Sequence, residues 1–130
     1  MGTNSFDHLP ISAPPQRALL LYTTVCEVGE RVRIGFCGEV DLASADVVGA
    51  AVTDALRSYR PRYMDVDLSG VNFLDARGVS TLLCCWTRAV ELGCELAVIN
   101  PQPMVYRILE ITGVLATLGV RPVRARPMEP

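Results

Sequence analysis

The chain has a single histidine, His8, and it stands ahead of the first patterned segment. A nucleophilic cysteine or an acid–base pair that relies on imidazole therefore has no partner in the region that reads as folded. Long apolar runs are missing too: no uncharged stretch approaches the ~18 residues that cross a bilayer. Residues 1–16 hold no Lys or Arg, so the cationic start of a secretory signal is absent and the chain is expected in the cytoplasm, with no membrane partner. Positive charge is not in excess. With a net charge of -2 and its arginines and acids scattered, the sequence offers no basic face for phosphates, and nucleic acid is not an expected partner. No glycine-rich phosphate loop and no repeated C-x-x-C spacing occurs. The five cysteines, an odd number, fit neither a secreted disulfide framework nor a zinc site, so no metal or cofactor is expected.

What is present is apolar material in regular patterns. Hydrophobic residues make up 50% of the 130, enough for one core and one domain. Pro-bearing tails at residues 1–17 and 125–130 bracket a folded region over residues 18–124. Residues 19–27 and 31–38 form two β-rich runs around Val28-Gly29-Glu30, and Val32, Ile34 and Phe36 alternate with Arg31, Arg33 and Gly35, which predicts a hairpin with one buried face. In residues 43–57, Ala45, Val48, Val52 and Leu56 recur at helical spacing, with Ser44 or Asp41 placed to cap the start. Residues 64–68 alternate as a short strand, and Ser69-Gly70 begins a loop to Leu74. Over residues 76–92, Val79, Leu82, Leu83, Trp86, Ala89 and Val90 form one broad stripe of a helix stopped by Gly93. A strand at 95–99, a helix at 101–111 and a last segment at 116–123 follow. Strands alternating with helices after a hairpin predict an α/β domain, a small mixed sheet with helices packed on it.

Three segments carry a resemblance. Gly38-Glu39-Val40-Asp41-Leu42-Ala43-Ser44-Ala45, the run Val66-Asp67-Leu68-Ser69-Gly70-Val71-Asn72-Phe73-Leu74-Asp75, and Ala76-Arg77-Gly78-Val79 opening a helix together resemble the STAS family of sulfate transporter and anti-sigma factor antagonist domains. The likeness runs from about Leu19 to about Val123, in the order of elements read above. It implies a single STAS-like domain that binds an anti-sigma factor, itself a serine kinase of the GHKL type, and so releases a sigma factor. A monomer is the expected state. The family's docking loop is Asp-Ser-Ser-Gly, and phosphorylation of the serine before the glycine adds roughly two negative charges that block docking. Here the motif is Asp75-Ala76-Arg77-Gly78, so the phosphoacceptor position holds Arg77, permanently cationic and without a hydroxyl.

Arg77 is ill placed for helix stability alone, since a cation in the first turn opposes the helix dipole by ~0.3–1 kcal/mol. It reads either as a tolerated surface residue or as the group that meets an acidic patch on the partner, with Asp75 as N-cap and Gly78 permitting close approach. Ser80 and Thr81, within one turn, are alternative phosphoacceptors or plain polar surface. Asp41 resembles the family's acidic residue flanking the same surface, or reads with Glu39 as a loop solubiliser; the expected partner-binding set is Asp41, Ser44, Asp75, Ala76, Arg77, Gly78, Thr81 and Cys84. Asp65 and Asp67 share one side of their strand, but without a His, Lys or phosphate loop nearby they read as solvent-facing rather than as an acid–base or magnesium pair.

The cysteines are the other chemically responsive groups. At 100° per residue, Cys84 falls at the azimuth of Arg77 two turns on, bordering the docking surface, and Cys85 at the edge of the apolar stripe. Adjacent helical thiols diverge, which disfavours a Cys84–Cys85 bridge. With the turn at Gly29-Glu30, Cys37 lies opposite Tyr22 and more than ~10 Å from Cys26. Cys84, Cys85 and Cys94 are the candidate redox residues, Cys84 foremost: the thiols read either as buried and inert or as a switch in which oxidation of Cys84 blocks docking and replaces phosphorylation as the control. Two other functions compete, a STAS module that binds a ligand or scaffolds a signalling assembly, and a thiol enzyme using Cys84 or Cys85, which lacks its general base.

Overall fold

A computed structural model describes residues 22–122. The tails at 1–17 and 125–130, His8, the start of the first β-rich run and Val123 lie outside the described residues. Within them, β1 (Tyr22–Val28) and β2 (Arg31–Val40) form the expected hairpin, α1 (Ala45–Tyr59) crosses to β3 (Tyr63–Leu74), α2 (Ala76–Glu91) crosses to β4 (Glu95–Ile99), and α3 (Pro103–Ile111) closes the order. The sheet runs β1-β2-β3-β4, with β1 antiparallel to β2 and the other pairings parallel.

Each parallel return proceeds to the next position in the sheet, and right-handed crossovers in one direction place the helices on one face. That face is where the alternating apolar residues point: Val32, Ile34 and Phe36 of β2 and Met64, Val66 and Leu68 of β3 are buried with Val48, Val52, Leu56, Leu82, Val105 and Leu109 of the helices in one core. The opposite face of the sheet carries Arg31, Arg33, Asp65 and Asp67.

β3 is longer than its alternation predicts. Val66-Asp67-Leu68 continues through Ser69-Gly70 to Leu74, so the stretch read as a loop pairs with β2 as far as Val40↔Leu74. Register shifts between Gly35 and Cys37 and again between Gly38 and Glu39 each insert one extra residue into β3. Each inserted residue resets which side chains face the core. Leu68, Val71 and Leu74 are buried as a result, at intervals of three rather than two.

Asp65 also departs from the sequence reading. It is 5% exposed rather than solvent-facing. Arg31 Nη1 donates to both its carboxylate oxygens at 3.0 and 2.9 Å, and Arg121 Nη2 donates to Oδ1 at 2.8 Å. The Arg31 guanidinium in turn stacks 4.9 Å from the Tyr63 ring centroid. Asp67 accepts from Ser69 N at 2.9 Å and stands 3.8 Å from Arg33. Both carboxylates are thus engaged structurally. Asp65→Ala is expected to cost about 2 kcal/mol, less than loss of a deeply buried pair, because both arginines are half exposed and rehydrate. A shift of the urea midpoint at pH 7 measures it.

Candidate functional site

The start of α2 is fixed by three local contacts. Asp75 is the N-cap: its backbone is extended, and its Oδ1 accepts from Gly78 N at 2.9 Å, satisfying one of the orphan amides of the first turn. Asp75 N donates to Val40 O at 3.3 Å, tying the cap to the end of β2. Gly78 is buried against that same strand. A Cβ there would stand 2.5 Å from Leu74 Cδ1 and 3.0 Å from both Cγ1 and O of Val40. The close approach that requires glycine is therefore internal, to β2, rather than to a partner.

The turn from β2 into α1 is knotted by side chains. Asp41 Oδ1 accepts from the amides of Ala43 at 3.0 Å and Ser44 at 3.2 Å, while Ser44 Oγ donates to Glu39 O at 2.6 Å and accepts from Asp41 N at 3.1 Å. Ser44 is fully buried, and as N-cap residue its side chain makes no cap bond. Of the two candidate caps, Asp41 supplies the carboxylate that organises the turn and Ser44 braces it from inside. Ser44 thus shapes the site without presenting a surface of its own.

Arg77 projects from the first turn of α2, 48% exposed, and its Nη2 donates to Asp46 Oδ1 at 3.3 Å. Asp46, in the first turn of α1, is 85% exposed. An exposed pair of this kind contributes ~0–1 kcal/mol. It offsets the unfavourable dipole position of Arg77 yet leaves the guanidinium open to exchange partners. Sequence spacing did not bring Asp46 forward, because the contact joins two helices 31 residues apart.

Between α1 and α2 runs an open groove of about 390 Å³, with Asp46, Gly49 and Thr53 on one wall and Arg77, Cys84 and Arg88 on the other. Thr81 lies against Gly49, half-buried where the helices come together, and Ser80 and Ala76 are exposed. Cys84 does line the same wall as Arg77, as the 100° count places it. Two exposed apolar side chains join this end of the domain without having been expected: Leu42, 69% exposed in the turn after β2, and Phe73, 40% exposed at the end of β3. Phe73 pairs with Glu39, two residues before Asp41, so both lie at the strand end that carries Asp75. The sequence signal was an apolar residue inside each recognised motif.

The thiols separate by burial. Cys85, at the groove-side edge of the apolar stripe as the 100° count places it, is nonetheless only 3% exposed, whereas Val90, expected in that stripe, is 54% exposed at the helix end. Burial pushes the Cys85 thiol up to about 12, with the neighbouring Cys84 adding and Arg88 opposing. Burial, then Glu95, pushes Cys94 up to about 11. Neither is a ready thiolate at neutral pH, which removes both from the redox candidates on physical grounds. Cys26, Cys37 and Cys84 are exposed, and all five cysteines are free thiols. The register Tyr22↔Cys37 and Cys26↔Arg33 is the one expected from the turn, four residues apart on β1.

Alkylation at pH 8 is expected to modify Cys26, Cys37 and Cys84 in the native protein and to reach Cys85 and Cys94 only after unfolding, as read by peptide mass. The same raised values set an alkaline limit. Below pH about 9 the buried thiols are protonated in both states; above it the unfolded chain ionises at 9.0 while the folded thiols hold their protons towards 11–12. The unfolded state then binds fewer protons, and stability is expected to fall across that window. Thermal melts from pH 8 to 11 measure the decline.

The fold and this strand-end site define a STAS domain, and the chain belongs to that family: the STAS domain profile matches residues 27–126. Among its relatives is the anti-sigma F factor antagonist of Paenibacillus polymyxa, 24% identical over 83 residues, 64% of this chain and 71% of that protein. An anti-sigma factor antagonist from Mycobacterium paratuberculosis has the same fold, with a TM-score of 0.72 at 23% identity over 87% of this chain and 92% of the other. The murine anion transporter Solute Carrier 26 family member A9 contains it as well, with a TM-score of 0.65 at 20% identity, covering 75% of this chain but 17% of the transporter. Among the described residues no helix is long and apolar enough to cross a membrane.

Proposed function

We propose that the chain is an anti-sigma factor antagonist that docks an anti-sigma factor on the end of the sheet bearing Asp75 and along the α1–α2 groove, releasing a sigma factor for transcription. The names of the relatives support the class of partner. The observation that carries the reading is the half-exposed Arg77 at the mouth of the groove, held by one exposed carboxylate. A carboxylate on the partner replaces Asp46 at the guanidinium, and Leu42 and Phe73 supply apolar anchors of the sort that dominate interfaces.

With Arg77 in the family's phosphoacceptor position, a serine kinase partner has no hydroxyl to modify there. Control passes to Cys84. Peroxide oxidises its thiol to a sulfenic acid with release of water, placing a larger polar group on the groove wall. Calorimetric titration against candidate anti-sigma factors tests both parts. Binding in the reduced state, weakened about tenfold by Arg77→Ala and by peroxide, supports the proposal; the peroxide effect disappears in Cys84→Ser. Equal affinity of reduced and oxidised protein removes the redox control, and absence of binding to every anti-sigma factor favours a ligand-binding or scaffold role for the same domain.

A further inference from the structure

The two edges of the sheet end differently. Beyond β4 the chain seals its own edge: Val98 N donates to Leu118 O at 3.0 Å, Arg121 N to Val98 O at 2.8 Å and Asn100 N to Arg121 O at 2.8 Å, and Ile99 and Arg121 form a parallel bridge. On the outer side of β1, no strand among the described residues does the same. β1 reads Tyr-Thr-Thr-Val-Cys-Glu-Val, without lysine or proline, and its register with β2 is continuous, without a bulge. Those are the devices by which edge strands ordinarily resist pairing.

The turn fixes which groups face outward. Gly29 and Glu30 form a two-residue loop with Gly29 at φ 61 and Glu30 outside the left-handed region, the type II′ pattern, so the closing pair Val28:Arg31 is hydrogen-bonded. Antiparallel ladders alternate, which turns the amides and carbonyls of Thr23, Val25 and Glu27 away from β2. Val25 sits at the middle of β1, on the face shared with Ile34, and is 43% exposed.

We propose that β1 pairs antiparallel with the same strand of a second copy of this chain, about a twofold axis at Val25, joining the two sheets edge to edge. The strand is its own complement in that register. Val25 stacks against Val25 of the partner subunit, and the outward amide and carbonyl of Thr23, Val25 and Glu27 all find partners. The one charge on the strand, Glu27, falls opposite a threonine instead of its own copy, so no like charges meet. Cys26 falls opposite Thr24 on the exposed face, which leaves the two Cys26 residues diagonal neighbours, ~7–8 Å apart. A seven-residue strand pair buries less than the roughly 800 Å² per partner of a standard interface, so a dimer of micromolar affinity is expected. None of the groove residues takes part, and dimerisation is therefore separable from docking at Arg77.

Sedimentation velocity of the full chain under reducing conditions, over a range of concentrations, is the test. A concentration-dependent dimer is expected, with the amides of Thr23, Val25 and Glu27 slow to exchange. Val25→Lys sets two cations on the axis; its exposed position lets the lysine reach water without unfolding, so the dissociation constant should rise by ~100-fold or more while the melt is unchanged. A variant carrying Cys37→Ser and Cys84→Ser should be joined into covalent dimers by a thiol–thiol reagent spanning ~8 Å, and adding Cys26→Ser should abolish the product. A monomer at every concentration overturns the proposal, including one whose β1 amides are protected by another part of the same chain. So does a dimer that survives Val25→Lys.

Discussion

Gly78→Ala is expected to lower stability by about 2 kcal/mol, although alanine is the better helix former. The gain from helix propensity is close to ~1 kcal/mol, and it acts on a residue that the fold holds against β2. The added methyl would meet the end of Leu74, which can swing, but also the Val40 carbonyl at 3.0 Å, which belongs to a paired strand. Relief requires the first turn of α2 to lift, stretching the Asp75–Gly78 cap bond at the same time. Overpacking of this kind costs ~1–3 kcal/mol and loss of a cap ~1 kcal/mol, so the sum exceeds the propensity gain. Urea unfolding measures the change. A midpoint equal to that of the parent protein would show that the helix start has slack the contacts do not suggest.

Arg77→Glu is expected to separate docking from stability. The introduced carboxylate suits the first turn of α2 by ~0.3–1 kcal/mol and removes an exposed pair of similar worth, so the melting temperature should scarcely move. Against an acidic patch, however, the reversal replaces attraction by repulsion, and affinity for the anti-sigma factor should fall by about 100-fold at low salt, with the gap to the parent protein narrowing as salt screens both. Unchanged affinity would leave Arg77 a surface residue. Arg77→Ser carries the companion expectation: it restores a hydroxyl before the glycine, and a serine kinase partner should incorporate phosphate there and lose affinity in proportion.

Much of this architecture is written locally. The hairpin, with its register of Tyr22 against Cys37, followed from one turn and one alternation, and the cap at Asp75 from a single side chain before an apolar helix. The failures share a cause in residues distant along the chain. β3 looked finished at Ser69 because two inserted residues shift its apolar period from two to three, and only pairing with β2 makes that spacing a strand. Asp65 looked solvated because its partners, Arg31 and Arg121, lie 34 and 56 residues away. Cys85 is covered and Val90 exposed because the buried sector of α2 is set by α1, β3 and β4, the elements it packs against, which a helical wheel does not contain. The site followed the same division: Asp75 and Arg77 were readable from the motif, while Asp46 and the groove exist only once two helices lie side by side.

The knot of Asp41, Ser44 and Glu39 sets the thermodynamic character of any encounter at this end of the domain. A loop that must be ordered by its visitor charges that visitor with lost freedom, and recognition then slows and turns strongly enthalpic. Here the turn is already held by its own bonds around the buried Ser44, so arrival should be close to a rigid-body event. Differences among visitors would then appear in how long each stays rather than in how fast it comes.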